Sequence, residues 1–259
     1  MDVTSDDSNG RHVPAWWEEF FSRSTLDFVR HSRDEESTQA EADFVQQALG
    51  LPLGAKILDL PCGAGRIALE MASRGYSVTG LDFSSPLLES ARFESDVRRL
   101  AVRWEHRDMR DLPWSEGFDG AVCLWSSFGY FDEQGNSDFL VAVAKALRHG
   151  ARFVLDTPLL ETRLPEIESE PRVWWKVGDL YALEERRFNH VTSRTESQWT
   201  FLRNGQVETK RLSQRLYTFN ELSRLLEHAS FGSLRAFGTL ELDPFSLGSA
   251  WLYLVATKD

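Results

Sequence analysis

Two cysteines among 259 residues are too few for a disulfide framework, and both Cys62 and Cys123 sit in apolar, strand-like contexts. No apolar run approaches the roughly 20 residues that a membrane span requires. Six scattered histidines form no His-x3-His pair, and no Cys/His group has metal-ligand spacing, so no metal is expected. Bases are in the minority, 29 Lys and Arg against 40 Asp and Glu, and a net charge of −11 opposes a sequence-independent grip on nucleic acid. Internal repeats and low-complexity tracts are also missing. The opening MDVTSDDSNG is acidic and polar, unlike a signal or transit peptide. What remains is a reduced, cytoplasmic, globular protein with no nucleic-acid or membrane partner, its core drawn from 42% hydrophobic and 12% aromatic residues.

The charge is uneven. Residues 1–50 hold 11 acids and 4 bases, whereas residues 171–215 hold 9 bases and 5 acids. Together with the changes in hydrophobic period, this divides the chain into an N-terminal helical cap (1–50), a core (51–170 and 218–259) and an insertion (171–217).

Trp16, Trp17, Phe20, Phe21 and Val29 fall at near-helical spacing, and Phe44, Val45, Ala48 and Leu49 form a second stripe ended by Gly50 and Pro52. Strand and helix then alternate. Strands are expected at 56–60, 76–81, 102–106, 118–124 and 151–155, with helices at 66–74, from Ser85-Pro86 onward, and at 137–147. Such alternation builds a parallel, doubly wound sheet with right-handed crossovers. Between 173 and 217 the pattern turns to strands alone, and Asn204-Gly205 reads as a hairpin turn. The core resumes at Thr218-x-x-Glu221, a capping box. Two closing strands, near 233–237 and 250–256, lack a helix between them and must run antiparallel.

The first strand ends in Leu58-Asp59-Leu60-Pro61-Cys62-Gly63-Ala64-Gly65-Arg66, and the second in Leu81-Asp82-Phe83-Ser84. Glycines at a strand-to-helix turn let a ligand approach the backbone, and an acid ending strand two suits a ribose hydroxyl pair. Gly63-x-Gly65-x-x-Ala68 alone also satisfies a dinucleotide pattern. Asp59 argues against that, because a carboxylate before the turn repels a pyrophosphate and attracts an ammonium or sulfonium.

With Arg107-Asp108-Met109-Arg110 after the third strand and Ser126-Ser127-Phe128-Gly129-Tyr130-Phe131 after the fourth, the chain resembles the class I S-adenosylmethionine-dependent methyltransferases, in the branch acting mostly on small molecules. The likeness is close over residues 38–160 and loose over 218–257. Pro61 departs from it, standing where the family usually has glycine. The resemblance implies a Rossmann-like, mostly parallel seven-stranded sheet with N-terminal helices and an inserted antiparallel β lid. It implies S-adenosylmethionine as cofactor, leaving as S-adenosylhomocysteine. By position, Asp59 meets the methionine ammonium, Gly63, Gly65 and Arg66 belong to the glycine turn beneath methionine and ribose, and Asp82 holds the ribose. Asp108 and Met109 then meet the adenine, Phe83 and Leu87 flank it, and Leu124 and Trp125 line the methionine side.

Methyl transfer from a sulfonium needs positioning more than acid–base help. No Asn/Asp-Pro-Pro-Tyr/Phe segment follows strand four, and with the acidic charge this favours methylation of a nitrogen or oxygen on a small-molecule acceptor by in-line displacement. Candidate acceptor walls are Trp16, Trp17, Phe20, Tyr130, Trp174, Trp175 and Tyr217, with His190 as a candidate base. The insertion's bases, Arg186, Arg187, Arg194, Lys210, Arg211 and Arg215, suit either an anionic acceptor or plain exposed strand positions. A protein methyltransferase, or a non-catalytic nucleoside- or dinucleotide-binding protein, are the competing readings. The chain is expected to act as a monomer or homodimer.

Overall fold

The computed structural model describes residues 15–21 and 24–259; the polar segment 1–14 lies outside them. Two short helices, α1 (Trp16–Phe20) and α2 (Ser24–His31), precede α3 (Glu35–Leu49). Asp34 caps α3 by accepting the Ser37 N–H, and Gly50 ends it in the left-handed region. The core then runs β1 (Lys56–Asp59), α4 (Arg66–Ser73), β2 (Ser77–Asp82), α5 (Ser85–Arg98), β3 (Val102–His106), β4 (Phe118–Cys123), α6 (Glu133–Ala146) and β5 (Leu147–Thr157). After α7 (Leu160–Ser169) come β6 (Arg172–Val177), β7 (Leu180–Asn189), β8 (Arg194–Arg203) and β9 (Gln206–Arg215), and then α8 (Phe219–His228), β10 (Phe231–Phe237) and β11 (Leu252–Lys258).

The main sheet has seven strands in the order β10-β11-β5-β4-β1-β2-β3. β1 to β5 are parallel, and β11 runs antiparallel to both β5 and β10. Both faces are buried, as strand alternation demands. Leu58, Ala121 and Phe153 face one hydrophobic layer, while Ile57, Val122 and Val154 face the other. The order reverses between β1 and β4, so their C-terminal ends diverge and leave a crevice.

The four inserted strands form a separate antiparallel sheet. Asn204 and Gly205 both take positive φ, 50° and 75°, between the paired Arg203 and Gln206, as a tight primed turn requires. The root of this sheet is bonded to the segment after β4. Gln214 Nε2 donates to the Ser126 and Phe128 carbonyls at 2.8 and 2.7 Å, and Arg194 donates to the carbonyls of Gly129, Tyr130 and Phe131. The helices α1 and α2 lie on the same sheet. Lys210 Nζ donates to the Phe20 carbonyl at 3.0 Å, and Arg203 pairs with Asp27 at 2.6 Å.

Two features differ from expectation. The helix α7 carries an internal Pro165 and buries only Ile167, so it shows no apolar stripe to read. α6 begins a turn earlier than expected because Asp132 caps it through the Gly135 N–H, and its polar first turn resembles a loop. Among the described residues no helix is long and apolar enough to cross a membrane.

At Gly129 the post-β4 segment passes close to the inserted sheet, the Gly129 carbonyl accepting the Arg215 N–H at 2.8 Å. Its φ is +94°, and a Cβ there would lie 2.4 Å from the Arg215 carbonyl oxygen. Gly178 also has positive φ but opens onto free space. Gly129→Ala should therefore add backbone strain of roughly 1–3 kcal/mol and also lose the docking of the sheet. Urea denaturation should show it clearly less stable than Gly178→Ala. Equal stability of the two variants would mean the contact does not hold the insertion.

Candidate active site: two cavities at the sheet's switch point

At the C-terminal ends of β1, β2 and β4 a cavity of about 950 Å³ opens. Asp59, the last residue of β1, is 3% exposed on its wall, and its Oδ2 has no hydrogen-bond partner. Burial pushes its pKa up to about 7, with the Arg66 guanidinium and the Ala68 amide only partly opposing and the nearby Asp82 adding to the rise. Asp82 ends β2, and it accepts the Gly63 and Ser84 N–H groups, each at 2.7 Å. Burial raises its pKa too, and these amides hold it back. Asp82 thus fixes the glycine turn while keeping further lone pairs on the cavity side.

Gly63 has φ +56°, and an added Cβ would project into open space, which is what a cradle for a close-fitting ligand looks like from the backbone. Gly65 has a different task. Its Cβ would strike the Trp104 ring at 2.5 Å, and it does not line the cavity. Its absent side chain lets the turn pack on β3, and its left-handed backbone caps α4. The Leu60–Pro61 peptide between strand and turn is cis.

Phe83, Leu87, Asp108, Met109, Leu124 and Trp125 all line this cavity, as does Arg66. Leu87 and Met109 are buried, whereas Phe83 is 42% exposed and forms a lip. Arg66 turns its guanidinium toward Glu41 and Thr38. Arg110 grips Asp108 through Nε and Nη2, at 2.7 to 3.1 Å, and its own N–H donates to the same carboxylate at 2.8 Å. The Asp108 charge is therefore already answered.

A second cavity of about 690 Å³ adjoins the first, between α1, α2 and the inner face of the inserted sheet. Phe21, Val29, Arg33, Trp125 and Tyr130 line both cavities. At this junction Trp125 and Ser126 adopt positive φ, 65° and 56°. Asp156, at the end of β5, accepts the Ser126 N–H at 2.8 Å and so supports the turn.

Of the expected acceptor walls, Phe20, Tyr130 and Trp175 line the second cavity, and Trp17 lines the first. Trp16 lines neither and packs edge-on against Tyr130, with centroids 5.0 Å apart. Trp174 is 65% exposed, because neighbours on a strand point to opposite faces and Trp175 takes the inner one. Tyr217 is core rather than wall: it packs on Phe128, accepts from Asn136 Nδ2 at 3.0 Å and donates to Glu133 at 3.1 Å. His190 lies on the exposed β7–β8 turn and lines neither cavity; the histidine lining the second one is His31. Of the insertion's bases named from the sequence, Arg186, Arg187, Arg194, Lys210 and Arg215 are engaged by carbonyls or ion pairs, and Arg211 is exposed. Sequence reasoning missed Phe28, Glu184, Thr195, Ser197 and Trp199, all of which line the second cavity. The last three are spaced by two along β8, a signal of a shared face.

Residues 57–150 match a family model described as a methyltransferase domain. An O-methyltransferase, resE, of Aspergillus sclerotiorum is 28% identical over 165 residues, covering 62% of this chain and 58% of its own. A ubiquinone biosynthesis O-methyltransferase of Alkalilimnicola ehrlichii is 38% identical over 84 residues, covering 32% and 34%. The chain thus spans between about a third and three fifths of these relatives. The fold is that of an S-adenosylmethionine-dependent methyltransferase of Clostridium acetobutylicum (TM-score 0.77, 17% identity, 90% and 95% of the two chains). It is also that of the amino pentose methyltransferase CalS10 of Micromonospora echinaspora (TM-score 0.64, 20% identity, 92% and 98%). Residues 57–150 are thus similar to a methyltransferase domain, on a fold shared with S-adenosylmethionine-dependent methyltransferases. The matched segment runs from β1 into β5 and so includes the glycine turn, Asp59, Asp82 and the turn after β4.

The Asp59 carboxyl keeps its proton in the folded domain up to about pH 7 but releases it near 3.8 when unfolded, so folding stability attributable to it falls as pH rises through that window. Asp59→Asn should therefore be more stable than the ligand-free parent at pH 8 and gain less at pH 5, with a slope of up to about 1.4 kcal/mol per pH unit. Equal stabilities at both pH values by urea denaturation would mean that Asp59 carries no burial penalty.

Proposed function

We propose that this chain is an S-adenosylmethionine-dependent methyltransferase that moves a methyl group onto an oxygen or nitrogen of a small molecule. The observation that carries this reading is the buried, unpartnered oxygen of Asp59 beside the open cradle at Gly63. Two buried acids, Asp59 and Asp82, make the first cavity a poor host for a pyrophosphate and a good one for a nucleoside with a cationic tail. When bound, S-adenosylmethionine supplies a methyl group already activated on a sulfonium.

The chain's own residues would do the rest. Asp59 pairs with the amino-acid ammonium, and ionises fully once that charge is beside it. Asp82 accepts the ribose hydroxyls while anchoring Gly63. Phe83, Leu87 and Met109 bracket the adenine, and Leu124 and Trp125 flank the methionine side. Phe21, Trp125 and Tyr130 stand between the two cavities and are suited to hold the acceptor in line with the methyl group and to exclude water there. The second cavity, at about 690 Å³, has the size of a metabolite site. Support comes from two relatives named as O-methyltransferases, and from the fold neighbour CalS10, a methyltransferase described as bound to S-adenosylmethionine.

S-adenosylhomocysteine should bind in calorimetry, and NADH should not. Asp82→Ala should weaken that binding by about 2–3 kcal/mol through loss of the charge-assisted contacts. A folded Asp82→Ala variant with unchanged affinity would remove the cofactor assignment.

A further inference from the structure

We propose that the second cavity takes a planar hydroxylated aromatic molecule as the methyl acceptor, its hydroxyl donating to the Glu184 carboxylate and accepting from the Trp199 indole N–H. The inference rests on the methyltransferase reading of the adjoining cavity.

The cavity's wall is a flat aromatic slot. Trp175 and Trp199 stack with centroids 5.1 Å apart and planes 6° from parallel, and Phe28 meets both rings edge-on at 6.0 and 5.4 Å. A planar ring extends such a stack, whereas a saturated ring does not match its geometry.

The polar atoms beside that slot describe the acceptor's functional group. Glu184 is 5% exposed and is the one carboxylate among the described residues that line this cavity. It sits directly across the strand pair from Trp199. Ser197 donates to its Oε1 at 2.6 Å, and the 2% exposed Arg186 lies 3.8 Å from Oε2. The Trp199 Nε1 is buried with no hydrogen-bond partner. A buried indole N–H left unanswered is unfavourable, and it can only donate. A phenolic hydroxyl satisfies both neighbours, because it donates to the carboxylate and accepts from the indole. A protonated amine has no lone pair to offer Trp199. It would also approach three guanidiniums, Arg186 behind Glu184 and Arg33 and Arg163 in the lining. Thr195, 4% exposed on the same wall, has an unpartnered hydroxyl of its own and would accommodate a second polar substituent.

The chemistry balances with residues on the page. The acceptor's phenolic oxygen forms a bond to the methyl carbon as the carbon–sulfur bond breaks. The bonding pair leaves with sulfur, and the sulfonium becomes a neutral thioether. The phenolic proton passes to Glu184 and on to solvent.

The test uses three probes with one ring system: 2-naphthol, 2-methoxynaphthalene and 2-naphthylmethylamine. Their binding to the full chain is read by calorimetry with and without S-adenosylhomocysteine. Naphthol should bind about tenfold tighter than the other two. Glu184→Gln should weaken naphthol about tenfold while leaving methoxynaphthalene nearly unchanged, and Trp199→Phe, which keeps the stack and removes the N–H, should weaken both oxygen probes. The proposal is overturned if the amine binds as tightly as naphthol, if none of the three binds, or if folded Glu184→Gln does not discriminate between naphthol and its methyl ether. Failure of S-adenosylhomocysteine itself to bind would count against the first cavity's reading, and the ranking of the probes would still decide this one.

Discussion

The structure turns on a carboxylate that folding leaves without an answer. Asp59 ends the strand beside the sheet's switch point, where parallel strands diverge and the chain turns into a helix. In a finished hydrophobic core an acid with an unpaired oxygen is a liability, and here the burial that drives its pKa toward 7 is only partly offset by the Arg66 guanidinium and the Ala68 amide. Its neighbours, by contrast, are satisfied: Asp82 holds two amides and Asp108 holds Arg110. One unmet acid among met ones marks the spot where a cation belongs.

The second cavity depends on how the insertion is rooted. Gln214 and Arg194 spend their donors on carbonyls of the segment after β4, and Gly129 passes close enough to Arg215 that no side chain fits. These contacts hold the segment that carries Tyr130 and follows Trp125; with Phe21, these residues line both cavities. The inserted sheet therefore acts as more than a cover. Its inner face supplies the aromatic slot and polar groups, and its root supports the wall against which both cavities close.

Much of the core was legible because local signals and global topology agree there. The β/α alternation, the Thr218–Glu221 capping box and the Asn204-Gly205 turn each follow from chemistry within a few residues. The resemblance located Asp59, Asp82 and the lining Phe83, Leu87 and Met109 in one cavity. The second cavity was harder for a definite reason. Alternation says that Trp174 and Trp175 face opposite ways, but only the packing of α2, through Phe28, decides which is inside. Tyr217 follows the last inserted strand yet is drawn into the core by Phe128 and Asn136. Gly65 reads as a ligand glycine and serves the Trp104 ring instead. Glu184 and Trp199 become a pair only through strand register, which depends on residues far from either.

The most direct test of the account is proton release on binding. Calorimetric titration of S-adenosylhomocysteine at pH 7, repeated in two buffers of different ionisation enthalpy, gives the number of protons exchanged. With Asp59 near half-protonated in the free protein and ionised against the ligand's ammonium, about half a proton should leave per ligand bound. Asp59→Asn should bind more weakly and release none. Binding without proton release in the parent, or equal affinity and equal release in the variant, would contradict the claim that this carboxylate is buried to meet a cation.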